Sequence, residues 1–197
     1  MIYLCLKRIR LITLTLTTLF LISCSSAPRT MLLEPELINA DKQQSFDSNL
    51  NWSLSSQDQR IAHYLIEIST GDDVATLINE QKSSRLVIQQ ALYEAWSGQN
   101  LNFTDKNVYK IDIQLIKLLS EVEQSSFSHQ VNSNIVIRIQ LSSDLKTFNK
   151  TFRSHFHSKH PFKASNDKIS EQLNTQLSQV LNEIVHDPEL NSKLQQF

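Results

Sequence analysis

The sequence predicts an α+β domain: a mainly antiparallel β-sheet with two amphipathic helices packed on one face, and a short C-terminal helix. Three observations carry that expectation. Apolar residues alternate with polar ones in several short stretches, two longer stretches place apolar residues at helical spacing, and a short polar loop joins the last two alternating stretches as a hairpin.

Leu50, Trp52 and Leu54 alternate with Asn51 and Ser53, which predicts a half-buried strand and the start of the domain. The polar run Ser55–Arg60 reads as a turn. Tyr64, Ile66 and Ile68 then form a second strand, Thr70-Gly71-Asp72-Asp73 turns the chain, and Val74 to Ile78 form a short third strand. Ser83 or Ser84 can cap a helix whose apolar face is Ile88, Ala91, Leu92, Ala95 and Trp96, with Gly98 as a left-handed stop. On such a face Trp96 is a core residue rather than an aromatic site.

Three strand patterns follow: Tyr109 to Leu115, Ile135 to Leu141, and Phe148, Phe152 and Phe156. Ser142 to Lys146 reads as the hairpin loop between the last two. Past Leu115 the alternation slips, because Ile116, Leu118 and Leu119 break step around Lys117; a bulge or a strand overrunning the sheet edge accounts for it. Ser165 or Asn166 caps the last long helix, whose stripe is Ile169, Leu173, Leu177, Val180, Leu181 and Ile184. Asp187-Pro188-Glu189 ends it and starts a final short helix, with Leu190, Leu194 and Phe197 facing inward.

The N-terminus sets the destination. Lys7, Arg8 and Arg10 precede an apolar run from Leu11 to Ile22, and Leu21-Ile22-Ser23-Cys24 has the form of a bacterial lipobox. Cleavage between Ser23 and Cys24 would remove residues 1–23 and let Cys24 carry acyl chains such as palmitate, anchoring the protein to a membrane. Two or more chains anchor stably, at roughly 0.8 kcal/mol per buried CH₂. A transmembrane segment would need about 20 apolar residues, more than this threonine-rich run offers; a secretory signal cleaved elsewhere is the other alternative. Ser25 is not the aspartate that retains many such proteins at the inner membrane, so the outer membrane is expected, with the domain facing the periplasm. Residues 24–48 read as a lipidated N-terminus and flexible tether, within which Met31 to Ile38 could add an edge strand restricted by Pro35. Residues 49–197 form the single α+β domain.

Composition narrows the function. The leader takes three of the 19 Lys+Arg and none of the 20 Asp+Glu, leaving 16 against 20, a formal charge of −4. That speaks against nucleic acid as a partner. With Cys24 lipidated no thiol remains, so no disulfide supports the fold. Gly71 and Gly98 are the whole glycine complement, which excludes glycine-rich phosphate loops; no cofactor is expected.

Among polar clusters, His155-x-His157-x-x-His160 superficially resembles a metal site. The strand phase set by Phe148, Phe152 and Phe156 instead puts His155 and His157 with Arg153 and Lys159 on the opposite, wet face, and flanking cations disfavour a metal. Together with Arg138 they form a candidate interaction surface, basic and pH-responsive because histidine titrates near 6.5. Asp58, Arg60 and His63 form a second cluster, read as a surface ion pair worth roughly 0–1 kcal/mol. Glu121 and Glu123 read as solvated. No G-x-S-x-G elbow is present, and no catalytic residue is assigned.

The lipobox, Asn51-Trp52-Ser53-Leu54-Ser55 with Asp58-Gln59-Arg60, Ile111-Asp112-Ile113-Gln114-Leu115 and Phe162-Lys163-Ala164-Ser165-Asn166 resemble the YajG-like family of Gram-negative outer-membrane lipoproteins. The resemblance covers nearly all of the chain after the leader and implies a lipid-anchored periplasmic domain. It supplies no reaction, ligand or catalytic residue. The chain departs from the family pattern in its His155 to His160 cluster and its low glycine content.

The expected function is therefore that of a non-enzymatic envelope accessory or adaptor protein, anchored to the membrane and docking an envelope protein on its open sheet face or on an edge strand. A carrier or sensor for a lipid or cell-wall fragment is the alternative, and a large apolar cavity under the helices would favour it. A hydrolase would require Asp58 or Glu121 to converge with a histidine in one cleft.

Overall fold

The structure is a computed structural model and describes residues 29–37, 45–46, 50–105 and 107–197. The lipobox and the rest of the leader lie outside the described residues. Among those described, eight strands and three helices follow in the order β1 (Thr30–Met31), β2 (Asn51–Asp58), β3 (Tyr64–Thr70), β4 (Thr76–Glu80), α1 (Ser84–Gly98), β5 (Asn102–Phe103), β6 (Lys110–Gln124), β7 (Ser128–Ser142), β8 (Thr147–Pro161), α2 (Asn166–His186) and α3 (Pro188–Gln196).

Three 15-residue strands, β6, β7 and β8, form an antiparallel meander that is the spine of the sheet. The alternation along β7 explains why: Val131, Ser133, Ile135, Ile137, Ile139 and Leu141 are buried on one face, while the residues between them are partly exposed on the other. The expectation of a mainly antiparallel sheet needs correction, because the sheet is mixed. β2 runs parallel to β6 along Lys110–Leu115 and β3 runs parallel to the same edge along Ser120–Gln124. β1 is parallel to β4, β5 is parallel to β2, and only β3–β4 adds another antiparallel pair.

The cause lies in residues 55–63. Strand β2 continues through Asp58 rather than turning at Ser55, because its inward polar residues find partners: Arg85 of α1 donates to the Ser56 carbonyl at 3.2 Å and its hydroxyl at 2.8 Å, and the Ser56 hydroxyl bonds Gln89. The link Gln59–His63 then carries the chain forward, with the Gln59 N–H on the Leu115 carbonyl at 2.8 Å. It passes alongside β6 where that strand bulges between Leu115 and Lys117, so the slip read from the sequence is a bulge at Ile116.

On the helical side α1 contacts β2, α2 contacts β7 and β8, and the two helices touch. The buried Gln176 of α2 donates to Ser154 Oγ at 3.0 Å. Trp52 and Trp96 are fully buried in the core with Ile88, Leu92, Leu173 and Leu177.

Local chemistry at the element ends differs in part from expectation. Glu80, not a serine side chain, caps α1, accepting the Ser84 N–H at 3.0 Å and its hydroxyl at 2.5 Å. Gly98 closes α1 without entering the left-handed region; Asn100 takes that conformation, at φ 67°. Val74 sits in the β3–β4 turn, 96% exposed, and the strand begins at Thr76. Asp187 caps α3 by accepting the Leu190 N–H at 2.7 Å, with Pro188 at its first position.

The segment expected to be a tether is, where described, part of the folded unit. Met31, Leu33 and Phe46 are buried in the core. β1 lies on the edge of β4, and the chain then runs along α2, where the Glu34 N–H donates to Asn174 Oδ1 and the Glu36 N–H to Ser178 Oγ, both at 2.9 Å. Apolar side chains on Met31 and Leu33 and backbone amides without a strand partner account for this docking, since both lose by staying in water.

Candidate functional site

The outer face of the meander is mainly polar, with Leu119 of β6 and Val136 of β7 set among its polar residues. Hydrogen bonds cross it from strand to strand: Ser55 Oγ and Gln57 Nε2 donate to the Asp112 carboxylate at 2.9 and 3.0 Å. Gln114 donates to Asp112 at 3.0 Å and to Gln140 at 3.3 Å. Arg138 continues the chain, with Nη1 on Gln114 Oε1 at 3.4 Å and Nε on Thr151 Oγ1 at 3.3 Å. Such a lattice orders side chains that would otherwise be free and leaves the guanidinium half-buried on the sheet.

The four expected surface residues lie on this face, on the adjoining strands β7 and β8. Arg153, His155 and His157 project in succession from β8, and Arg138 lies opposite Thr151 on β7. His155 and His157 bond through Nδ1 to the Asn134 and Asn132 side-chain oxygens across the strand pair, at 2.9 and 2.7 Å. Through Nδ1 each imidazole is thus oriented by an asparagine of β7. His160 falls out of this row and packs on His129, with ring centroids 5.4 Å apart. No group of three or more His, Cys, Asp or Glu among the described residues has metal-holding geometry. Glu121 and Glu123 are exposed on β6, and Glu121 faces Lys117 at 3.7 Å.

The Asp58 cluster is not the surface pair that the sequence suggested. Arg60 has a side chain only 2% exposed and bridges two carboxylates, Asp58 at 2.7 Å and Glu80 at 2.8 Å. Its Nε also donates to Asp58, at 2.9 Å, making that contact bidentate. The link over the bulge drives Arg60 inward, where it ties the end of β2 to the end of β4 and, through Glu80, to the start of α1. Its partner Glu80 carried no signal in the sequence, because nothing in a short polar stretch marks one carboxylate as the cap of the next helix. His63 reaches Asp58 at 3.5 Å, on the carboxylate that Arg60 already engages.

The charges in this cluster are coupled to folding. The hydrogen bond from Arg60 lowers the Asp58 pKa from its usual 3.8 despite burial. Burial opposes ionisation of Glu80, but the bonds from Ser84 and Arg60 outweigh it and lower its pKa from 4.5. A carboxylate held lower in the folded chain than in the unfolded one contributes stability above its unfolded pKa, and that contribution disappears as pH falls through the folded value. Stability should therefore decline steeply below about pH 4.5, and the paired change Asp58→Asn with Glu80→Gln should flatten that decline in acid titrations followed by circular dichroism.

A second concavity lies beside α1. Leu32 and Pro35 of the N-terminal segment and Leu86, Val87, Gln90 and Glu94 of the helix bound an open, mainly apolar groove of about 750 Å³. It lies along the outside of the helix rather than between the helices and the sheet.

The fold has relatives among solved structures. A Xanthomonas campestris protein from a domain family of unknown function aligns with 83% of this chain and 96% of its own at a TM-score of 0.56 and 13% identity. The rare lipoprotein B of Shewanella oneidensis aligns over 67% of this chain and 98% of its own, with a TM-score of 0.38 and 10% identity. A minor lipoprotein of Acinetobacter baumannii aligns over 73% and 90%, with a TM-score of 0.34 and 7% identity. No curated protein matches the sequence. No helix among the described residues is long and apolar enough to cross a membrane. Residues 36–195, which hold the polar sheet face, the Arg60 cluster and the three helices but for the last residue of α3, match the family described as an uncharacterized lipoprotein, and to that family the chain belongs.

Proposed function

We propose that this is a YajG-like outer-membrane lipoprotein, anchored through acylated Cys24 with its domain in the periplasm, and that it serves as a non-enzymatic adaptor in the envelope. The observation that carries the reading is the outer sheet face: polar, bonded into a lattice, and presenting Arg138, Arg153, His155 and His157 with no described element over it. The helices cover the inner face, so this surface is free for a protein partner. β8 is also a sheet edge, open to strand addition.

In-cell photo-crosslinking from Arg138, Arg153 and His155 tests the proposal. One discrete protein adduct shared by these positions is expected; none from this face would refute it. Anchoring is checked separately with Cys24→Ala, which should leave an uncleaved or mislocalised precursor, whereas normal membrane fractionation of that variant would refute lipidation.

The groove beside α1 supports a second reading, a carrier or sensor for an acyl chain or cell-wall fragment. Crosslinks from Leu86 to lipid or glycan, with none from the sheet face, would favour it.

A further inference from the structure

We infer that one end of the sheet, built around Phe127 and Phe162, rests on the membrane surface and holds the domain upright on its anchor. The inference rests on the lipid-anchored reading and adds to it an orientation.

Phe127 is at the tip of the β6–β7 hairpin and Phe162 immediately follows β8, and they are 84% and 75% exposed. They are joined: the Phe162 N–H donates to the Phe127 carbonyl at 2.7 Å, and His129 Nδ1 bonds the Phe162 carbonyl at 2.8 Å. Phe162 is held at φ 67°, a left-handed conformation that bulky side chains seldom adopt, with its side chain mostly in water. Two phenyl side chains presented to water from backbones bonded to each other suit the boundary between headgroups and acyl chains, where aromatic residues are enriched.

The charges around the pair are of both signs. Lys159 and Lys163 flank Phe162 in sequence and are exposed, and His129 and His160 stack beside it. Acidic residues share this end: Asp72 and Asp73 in the neighbouring β3–β4 turn, Glu123 near the end of β6 and Asp167 in the first turn of α2. Each lysine close to an anionic surface gains about 1 kcal/mol, and the nearby carboxylates offset part of that gain, so the two phenyl side chains carry the contact.

Chain direction supplies the independent argument. β4 runs away from this end, starting just after the β3–β4 turn, and β1 is parallel to it, with Thr30 opposite Asn79. The polypeptide therefore enters β1 from the side of Phe127 and Phe162. Cys24 precedes Thr30 by roughly six residue steps, a contour of at most about 20 Å. The distance back along β4 to its turn is about 15 Å, so the leash reaches this end of the sheet with little to spare.

The test uses the full-length lipidated protein, which has no thiol of its own once Cys24 is acylated, in phosphatidylethanolamine–phosphatidylglycerol vesicles. An environment-sensitive fluorophore is placed at Phe127→Cys, Phe162→Cys or Leu145→Cys. Leu145 is 93% exposed in the β7–β8 turn, at the other end of a strand about 50 Å long. All three positions are exposed, so labelling them leaves the core intact. Labels at 127 and 162 should shift to the blue and be quenched several-fold more than the label at 145 by spin-labelled lipid. Protein that floats with the vesicles while all three labels stay in water keeps the anchor and overturns the orientation. Quenching of all three overturns it in favour of a flat pose, and protein that fails to float overturns anchor and orientation together.

Discussion

Arg60→Ala should lower the stability of the domain by about 3–5 kcal/mol, because it strands Asp58 and Glu80 without their cation in a partly buried site. For a chain of this size that corresponds to a fall in Tm of roughly 10 °C. The loss combines three contacts that the guanidinium makes at once: the end of β2, the end of β4 and, through Glu80, the capped first turn of α1. Replacing the whole cluster tells the two causes apart. Arg60→Met combined with Asp58→Asn and Glu80→Gln should recover much of the loss, since the penalty lies in the unpaired charges more than in the missing bridge. Urea unfolding followed by the fluorescence of the buried Trp52 and Trp96 measures both variants. A loss below about 1 kcal/mol for Arg60→Ala would reduce the cluster to the surface ion pair that its sequence suggested.

The second large effect lies in residues 29–46. Leu33→Ala should cost about 2–5 kcal/mol and Phe46→Ala about 3–5 kcal/mol, the usual range for truncating buried side chains of these types. A passive tether would give no change. Amide hydrogen exchange offers a second measure, because the Glu34 and Glu36 N–H groups are bonded to Asn174 and Ser178 of α2. They should exchange with the protection of the folded domain, and exchange at the rate of an unfolded chain would refute the docking of this segment.

These two sites also show where the sequence could be read and where it could not. The α2 stripe and the centres of β6 and β7 were legible because each buries an apolar row, as in Ile135, Ile137, Ile139 and Leu141, and β8 was legible from the spacing of Phe148, Phe152 and Phe156 although Lys150 and Ser154 interrupt that row. The same strands reach much further than their apolar rows. Toward the Phe127 end the inward positions include Ser120 and Ser133, which satisfy each other at 2.6 Å while fully buried, so the apolar alternation stops where the strand does not. β2 was cut short for the same reason, its inward Ser56 and Asp58 being met by Arg85 and Arg60. Parallel pairing to β6 leaves no local trace, because its partners lie more than 50 residues away. The wet face of β8 was readable from strand phase, and its residues sit there, whereas the asparagines that fix His155 and His157 belong to another strand and were not.

The N-terminal segment has a mechanical consequence. It is the described part of the fold next in sequence to Cys24, the proposed anchor, and its contacts with α2 join residues about 140 positions apart in the chain. A tug from the bilayer on Cys24 would pull along β1, parallel to its bonded neighbour β4, so that the bonds of the strand and the docked segment behind it share the load in shear instead of opening one after another. The first structure to meet any drag on the domain is thus the one laid lengthwise against that force.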